Sequence, residues 1–110
     1  MRKIIFATVL ATLAFSLNAP AQAASFNCRY AKLPDEVAIC QDPELSMLDE
    51  EIARDYFTAL NRYRRRGDWY TVKGLRQTQR NWLRLRHTCG YDADCIRRWM
   101  YHRARELAGY

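Results

Sequence analysis

The chain has 110 residues, 27% of them charged and 49% apolar, with a formal charge of +6. That length holds one domain, near the size where a single apolar core becomes marginal. Four cysteines, an even set, read as a disulfide framework in an oxidising compartment, which excludes most cytosolic enzyme classes.

Residues 1–23 carry the parts of a secretory signal peptide in order. Arg2 and Lys3 make a basic start, residues 4–17 an apolar run, and Ala21-Gln22-Ala23 a small-x-small cleavage site. The apolar run is too short to span a bilayer comfortably, and no later stretch is long enough to anchor the chain. The expected organisation is a leader over 1–23 and a single helical domain over 24–110. Cys28 follows Ser25-Phe26-Asn27 and does not stand at the cleavage point, so no lipid attachment is expected. The expected product is exported, periplasmic or extracellular, and soluble after cleavage.

Strand signals are scarce, and helical signals are strong. A short helix is predicted over 34–40, with Pro34 in its first turn and Asp35-Glu36 beside it. Asp42-Pro43-Glu44 then supplies an N-cap, a proline at the first helical position and an acid in the positive first turn. Beyond it Leu45, Leu48, Ile52, Tyr56, Ala59 or Leu60, and Tyr63 recur at steps of three and four, drawing one buried stripe. Arg64-Arg65-Arg66 suits the negative end of this helix, and Gly67 can close it in the left-handed conformation.

Asp68 is the expected cap of the next helix, with a stripe through Trp69, Val72, Leu75, Gln79, Trp82, Leu83 and Arg86. Gly74 interrupts it and is read as a point of close helix–helix approach. The helix should end near Cys89-Gly90. A last helix is predicted with Asp94 as cap and Ile96, Trp99 or Met100, Arg103 and Leu107 inward. The connection between the two longest helices is about two residues, which makes them antiparallel neighbours. The predicted fold is all-α: a small disulfide-stapled helical hairpin, a third helix packed on it and a short N-terminal helix.

Charge is distributed unevenly. Residues 24–110 carry 16 basic against 12 acidic side chains, a net +4. Residues 33–55 hold eight acids against Arg54, and residues 56–110 hold 13 basic residues against four acids. The halves can attract each other across the hairpin, or the basic half can face an anionic partner.

The ordered set Phe26-x-Cys28, Glu36-x-x-Ile39-Cys40, Pro43-x-Leu45-x-x-Leu48-Asp49, Tyr56, Leu75-Arg76-x-x-Gln79-Arg80-x-Trp82-Leu83-x-x-Arg86-x-x-Cys89, Cys95-Ile96 and Arg103 resembles the small secreted family typified by the N-terminal domain of the lysozyme inhibitor LprI. The resemblance covers almost all of residues 26–107. It implies secretion, a helical fold with two disulfides, and no cofactor or catalytic centre. For the family's namesake it implies inhibition of lysozyme. Met100 stands where the family pattern leads one to expect an aromatic residue.

Four cysteines allow three pairings. Cys28 with Cys40 and Cys89 with Cys95 close short local loops and are favoured. Crossed pairings would tie the N-terminal segment to the second long helix, and zinc ligation lacks the close C-x-x-C spacing. His87 and His102 read as surface or edge residues, without an activated-nucleophile motif. The carboxylates Asp49, Glu50, Glu51 and Asp55 read as a solvated acidic face more readily than as a glycosidase pair. Arg76, Gln79, Arg80 and Arg86 share one helix, and a buried Arg must have partners. Glu36 and Asp49 are the expected ones, in a structural polar network.

Candidate partner-binding residues are the acids Asp42, Glu44, Glu50 and Glu51, the cations Arg64, Arg65 and Arg66, and the aromatic pair Trp69-Tyr70 beside them. The expected function is a non-catalytic interaction protein of the cell envelope, with a lysozyme-type glycosidase as the leading partner. The alternatives are a binder of anionic polysaccharide or lipid through the Arg-rich half and, more remotely, a small hydrolase. Nucleic acid is disfavoured as a partner.

Overall fold

A computed structural model describes residues 24–110. The leader reading of residues 1–23 lies outside the described residues. Four α-helices follow one 3-10 turn at Cys28–Tyr30: α1 (Pro34–Gln41), α2 (Pro43–Arg65), α3 (Trp69–His87) and α4 (Ala93–Ala108). The fold is all-α and disulfide-stapled, and no strand occurs among the described residues.

Each long helix starts on an aspartate cap. The Asp42 carboxylate accepts from the backbone N–H groups of Glu44 and Leu45, and Asp68 accepts from Thr71. At the end of α2, Gly67 adopts φ +70° and lets the chain reverse directly into α3. The last helix differs from expectation in its cap. Asp92, not Asp94, stands at the N-cap and accepts from Cys95 N–H at 3.1 Å. Gly90, at φ +58°, already turns the chain. Asp94 is left in the first turn, where it pairs with Arg97.

The core lies where the four helices meet. Ile39 of α1, Leu45 and Ile52 of α2, Val72 and Leu75 of α3, and Ile96 and Met100 of α4 are each at most 1% exposed, so every helix contributes to one interior. α4 packs most extensively on α2, and α1 covers the end where all three long helices come together. Met100 itself is fully buried. Two hydrogen bonds fix the register: Ser46 Oγ donates to Ile39 O at 2.6 Å, and Trp82 Nε1 donates to Trp99 O at 2.9 Å.

Cys28–Cys40 ties the 3-10 turn to α1, and Cys89–Cys95 closes the turn between α3 and α4. Loops of this size restrict the unfolded chain enough to contribute roughly 2–3 kcal/mol each. Two further sequence expectations fail. A Cβ at Gly74 would meet nothing within 4 Å, so this glycine marks no close helix approach. Trp69 is 62% exposed, so the apolar stripe of α3 begins at Val72.

Candidate functional site

The polar network forms around Arg86, with one expected partner and one unexpected. Arg86 is 3% exposed. Its Nε donates to Asp35 Oδ2 at 2.8 Å and one terminal nitrogen donates to Asp49 Oδ1 at 3.1 Å. Its guanidinium carbon also lies 5.2 Å from the Trp82 ring centre. The sequence reading placed Glu36 here. In the fold Asp35 shares the inward face with Ala38 and Ile39, and Glu36 stays half-buried on the rim. Asp49 Oδ2 is occupied from the other side by the backbone N–H of Ser25 at 2.8 Å and by the Ser25 hydroxyl. His87, expected at an edge, shares Asp35 Oδ2 through Nδ1 at 2.8 Å and is 35% exposed.

A second buried arginine was not assigned to the network. Arg103 is 1% exposed; its Nε donates to Gln79 Oε1 at 3.0 Å and a terminal nitrogen to Glu106 at 3.1 Å. Gln79 therefore serves an arginine of α4, not an acid of the preceding helices. Arg76 and Arg80 leave the network altogether: neither has an ion-pair partner among the described residues, and Arg80 is exposed. The signal for Arg103 was its inward step from Met100 in the α4 stripe. His102 pairs with Glu106 one turn on.

Burial pushes the Asp35 carboxyl up, but hydrogen bonds and positive charge from Arg86 and His87 outweigh it, and the group ends below its ordinary 3.8. A depressed carboxylate stabilises the fold above its unfolded value and loses that contribution as pH falls through the folded one. Thermal unfolding followed across the acid range should show a Tm that declines below about pH 4. Asp68, also depressed by its bonds to Thr71, adds to the same window. Asp35→Asn should be less stable at neutral pH and flatter in acid; an unchanged acid profile would remove Asp35 from this role.

Above this cluster lies a cleft of about 400 Å³ between the N-terminal segment, α2 and α3. Phe26, Tyr56, Trp82 and Leu83 make its apolar walls, and Glu36 and Gln79 stand among them. The Ser25 hydroxyl donates to the Asp49 carboxylate and not to the imidazole of His87. Among the described residues no three His, Cys, Asp or Glu side chains converge as a metal site.

The surface candidates separate along α2. Its 23 residues span about 34 Å, acidic at the start and basic at the end, in line with the helix dipole. Asp42 and Glu44 are committed internally: Arg97 reaches them at 3.4 and 3.1 Å, and Tyr101 donates to Glu44 at 3.0 Å. Glu50 and Glu51 have no ion-pair partner among the described residues. Glu50 borders an open groove of about 710 Å³ with Ala53, Arg54, Phe57 and Asn61, and Phe57 is 58% exposed. At the opposite end Arg64, Arg65 and Arg66 are exposed, next to Trp69 and Tyr70.

No helix among the described residues is long and apolar enough to cross a membrane. Comparison with protein-family models, curated proteins and solved structures finds no match.

Proposed function

We propose that the chain is an exported, non-catalytic interaction protein of the cell envelope, and that it inhibits a lysozyme-type glycosidase through the acidic half of α2. The observation that carries this reading is the groove beside α2, where the exposed Phe57 ring stands with Glu50, a carboxylate that has no ion-pair partner among the described residues. An aromatic anchor flanked by uncommitted charge is the make-up of a protein interface. The resemblance supplies the target class, and typical lysozymes are cationic. The net charge of +4 over residues 24–110 gives no long-range steering toward one, so complementarity must be local.

The arrangement around Arg86 supports the non-catalytic part. Arg86 bridges its two acids and the Ser25 donors occupy the second oxygen of Asp49, while Asp35 Oδ1 is buried without a hydrogen-bond partner. The Arg97 bridge narrows the binding surface to Glu50, Glu51 and Phe57.

The purified, processed protein should slow lysozyme-driven lysis of bacterial cell walls in a dose-dependent manner. Glu50→Lys/Glu51→Lys should weaken that inhibition about tenfold, and added salt should weaken it too. Lysis unaffected at large molar excess of the wild type would end the inhibitor reading.

A further inference from the structure

The Arg86 cluster is held by its own neighbours, and the inhibitor reading uses the groove along the middle of α2, around Glu50 and Phe57. The pole where α2 turns into α3 is used by neither. Arg64, Arg65 and Arg66 follow one another there, all exposed and without a carboxylate partner among the described residues. Asp68 is the acid nearest in sequence, and both its oxygens are committed to Thr71 as a helix cap. A shallow depression beside the tip is lined by Thr58, Arg62, Arg65 and Arg66, three guanidinium groups and a hydroxyl. Guanidinium groups supply planar pairs of N–H donors and no acceptor, which suits phosphate oxygens.

The aromatic residues give a second, independent observation. Trp69 is 62% and Tyr70 91% exposed, in the first turn of α3. Large rings left in water beside a cationic cluster are costly unless something covers them. Trp and Tyr carry an apolar body and a polar tip, the character that places such rings at the headgroup level of a bilayer.

We propose that the α2–α3 tip is a docking surface for an anionic phospholipid membrane. A phospholipid surface uses both features: phosphates meet the arginines while the two rings enter the interface. An anionic polysaccharide can stack a sugar on a ring but offers no apolar interior for the two rings to enter. The geometry also orients the molecule. Glu50 lies about 20 Å along α2 from Arg64, so a membrane that attracts the tip repels the acidic end and holds it away from the surface.

The test uses the processed protein, its leader removal confirmed by intact mass, in co-sedimentation with vesicles of equimolar phosphatidylglycerol and phosphatidylcholine. Binding should be strong to these and weak to pure phosphatidylcholine. Arg64→Gln/Arg65→Gln/Arg66→Gln should reduce it on the order of a hundredfold, since each cation near such a surface contributes roughly fivefold. Trp69→Ala/Tyr70→Ala should reduce it at least about tenfold. Vesicles should shift tryptophan emission to the blue in the wild type and not in Trp69→Phe. Unchanged Tm in each variant separates lost binding from lost folding. Failure to bind the anionic vesicles, or binding indifferent to both sets of variants, would overturn the proposal. So would retention on heparin at salt that abolishes vesicle binding, which would assign the tip to an anionic polymer. The lysis assay is read separately, so either reading can fail alone.

Discussion

Arg86→Met should destabilise the protein by about 3–5 kcal/mol at neutral pH. Methionine can occupy much of the space of the arginine stem, so the loss is chiefly electrostatic. Asp35 and Asp49, 1% and 3% exposed, would be left without the cation that bridges them. Removing one partner of a buried ion cluster costs far more than the cluster contributes over an apolar replacement, because the remaining charge stays desolvated. The contact of the guanidinium with Trp82 is lost as well. For a domain of this size each kcal/mol moves Tm by roughly 4–8 °C, so thermal unfolding followed by circular dichroism should fall by more than about 10 °C. A shift within a few degrees would mean that water, not Arg86, satisfies these carboxylates.

Leu75→Ala should cost about 2–5 kcal/mol. Leu75 is 0% exposed at the inward face of α3, where helices from both sides close over it. Truncation removes buried apolar surface and leaves a cavity that the two disulfides and the packed helices prevent from collapsing fully. Trp69→Ala, two turns earlier on the same helix, should stay within about 0.5 kcal/mol, because its ring is mostly in water. Chemical denaturation of the two variants should show this contrast. Comparable losses at both positions would place Trp69 in the core and remove it from the surface assigned above.

Much of the fold was legible because the helices obey local rules. The Asp42-Pro43 start, the Gly67 reversal and the stripe from Leu45 to Tyr63 are set by capping and by the helical period, and they stand where those rules put them. The short loops between paired cysteines likewise left little freedom, and the local pairings Cys28–Cys40 and Cys89–Cys95 are those found. Ambiguity arose where two acids compete within one turn. Asp35 and Glu36 lie four and three residues before Ile39, and an eight-residue helix is too short for its period to choose between them. Asp92 and Asp94 present the same problem at the start of α4. There the reversal at Gly90 decides for the earlier residue.

The site was less legible than the fold. That an arginine in an apolar stripe needs carboxylates follows from electrostatics, so an acidic partner for Arg86 could be expected. Which arginine turns inward depends on the packing of α4. Arg76 and Arg80 share a helix with Arg86 but not its burial, whereas Arg103 is enclosed and takes Gln79 as its acceptor. The division of surface acids into committed and uncommitted was likewise hidden. Arg97 lies more than fifty residues from Asp42 and Glu44, and only the packing of α4 on α2 brings it to them.

The central claim is that the Arg86 cluster is a structural lock and that recognition belongs to the surface. A double-mutant cycle between Arg86 and Asp49 tests it most directly, with Arg86→Met, Asp49→Asn and the pair compared by denaturant unfolding. A lock predicts strong coupling, about 1–3 kcal/mol, with the pair less destabilised than the sum of the single variants. Additive effects within about 0.5 kcal/mol would contradict it, since two side chains that add independently do not hold each other in place.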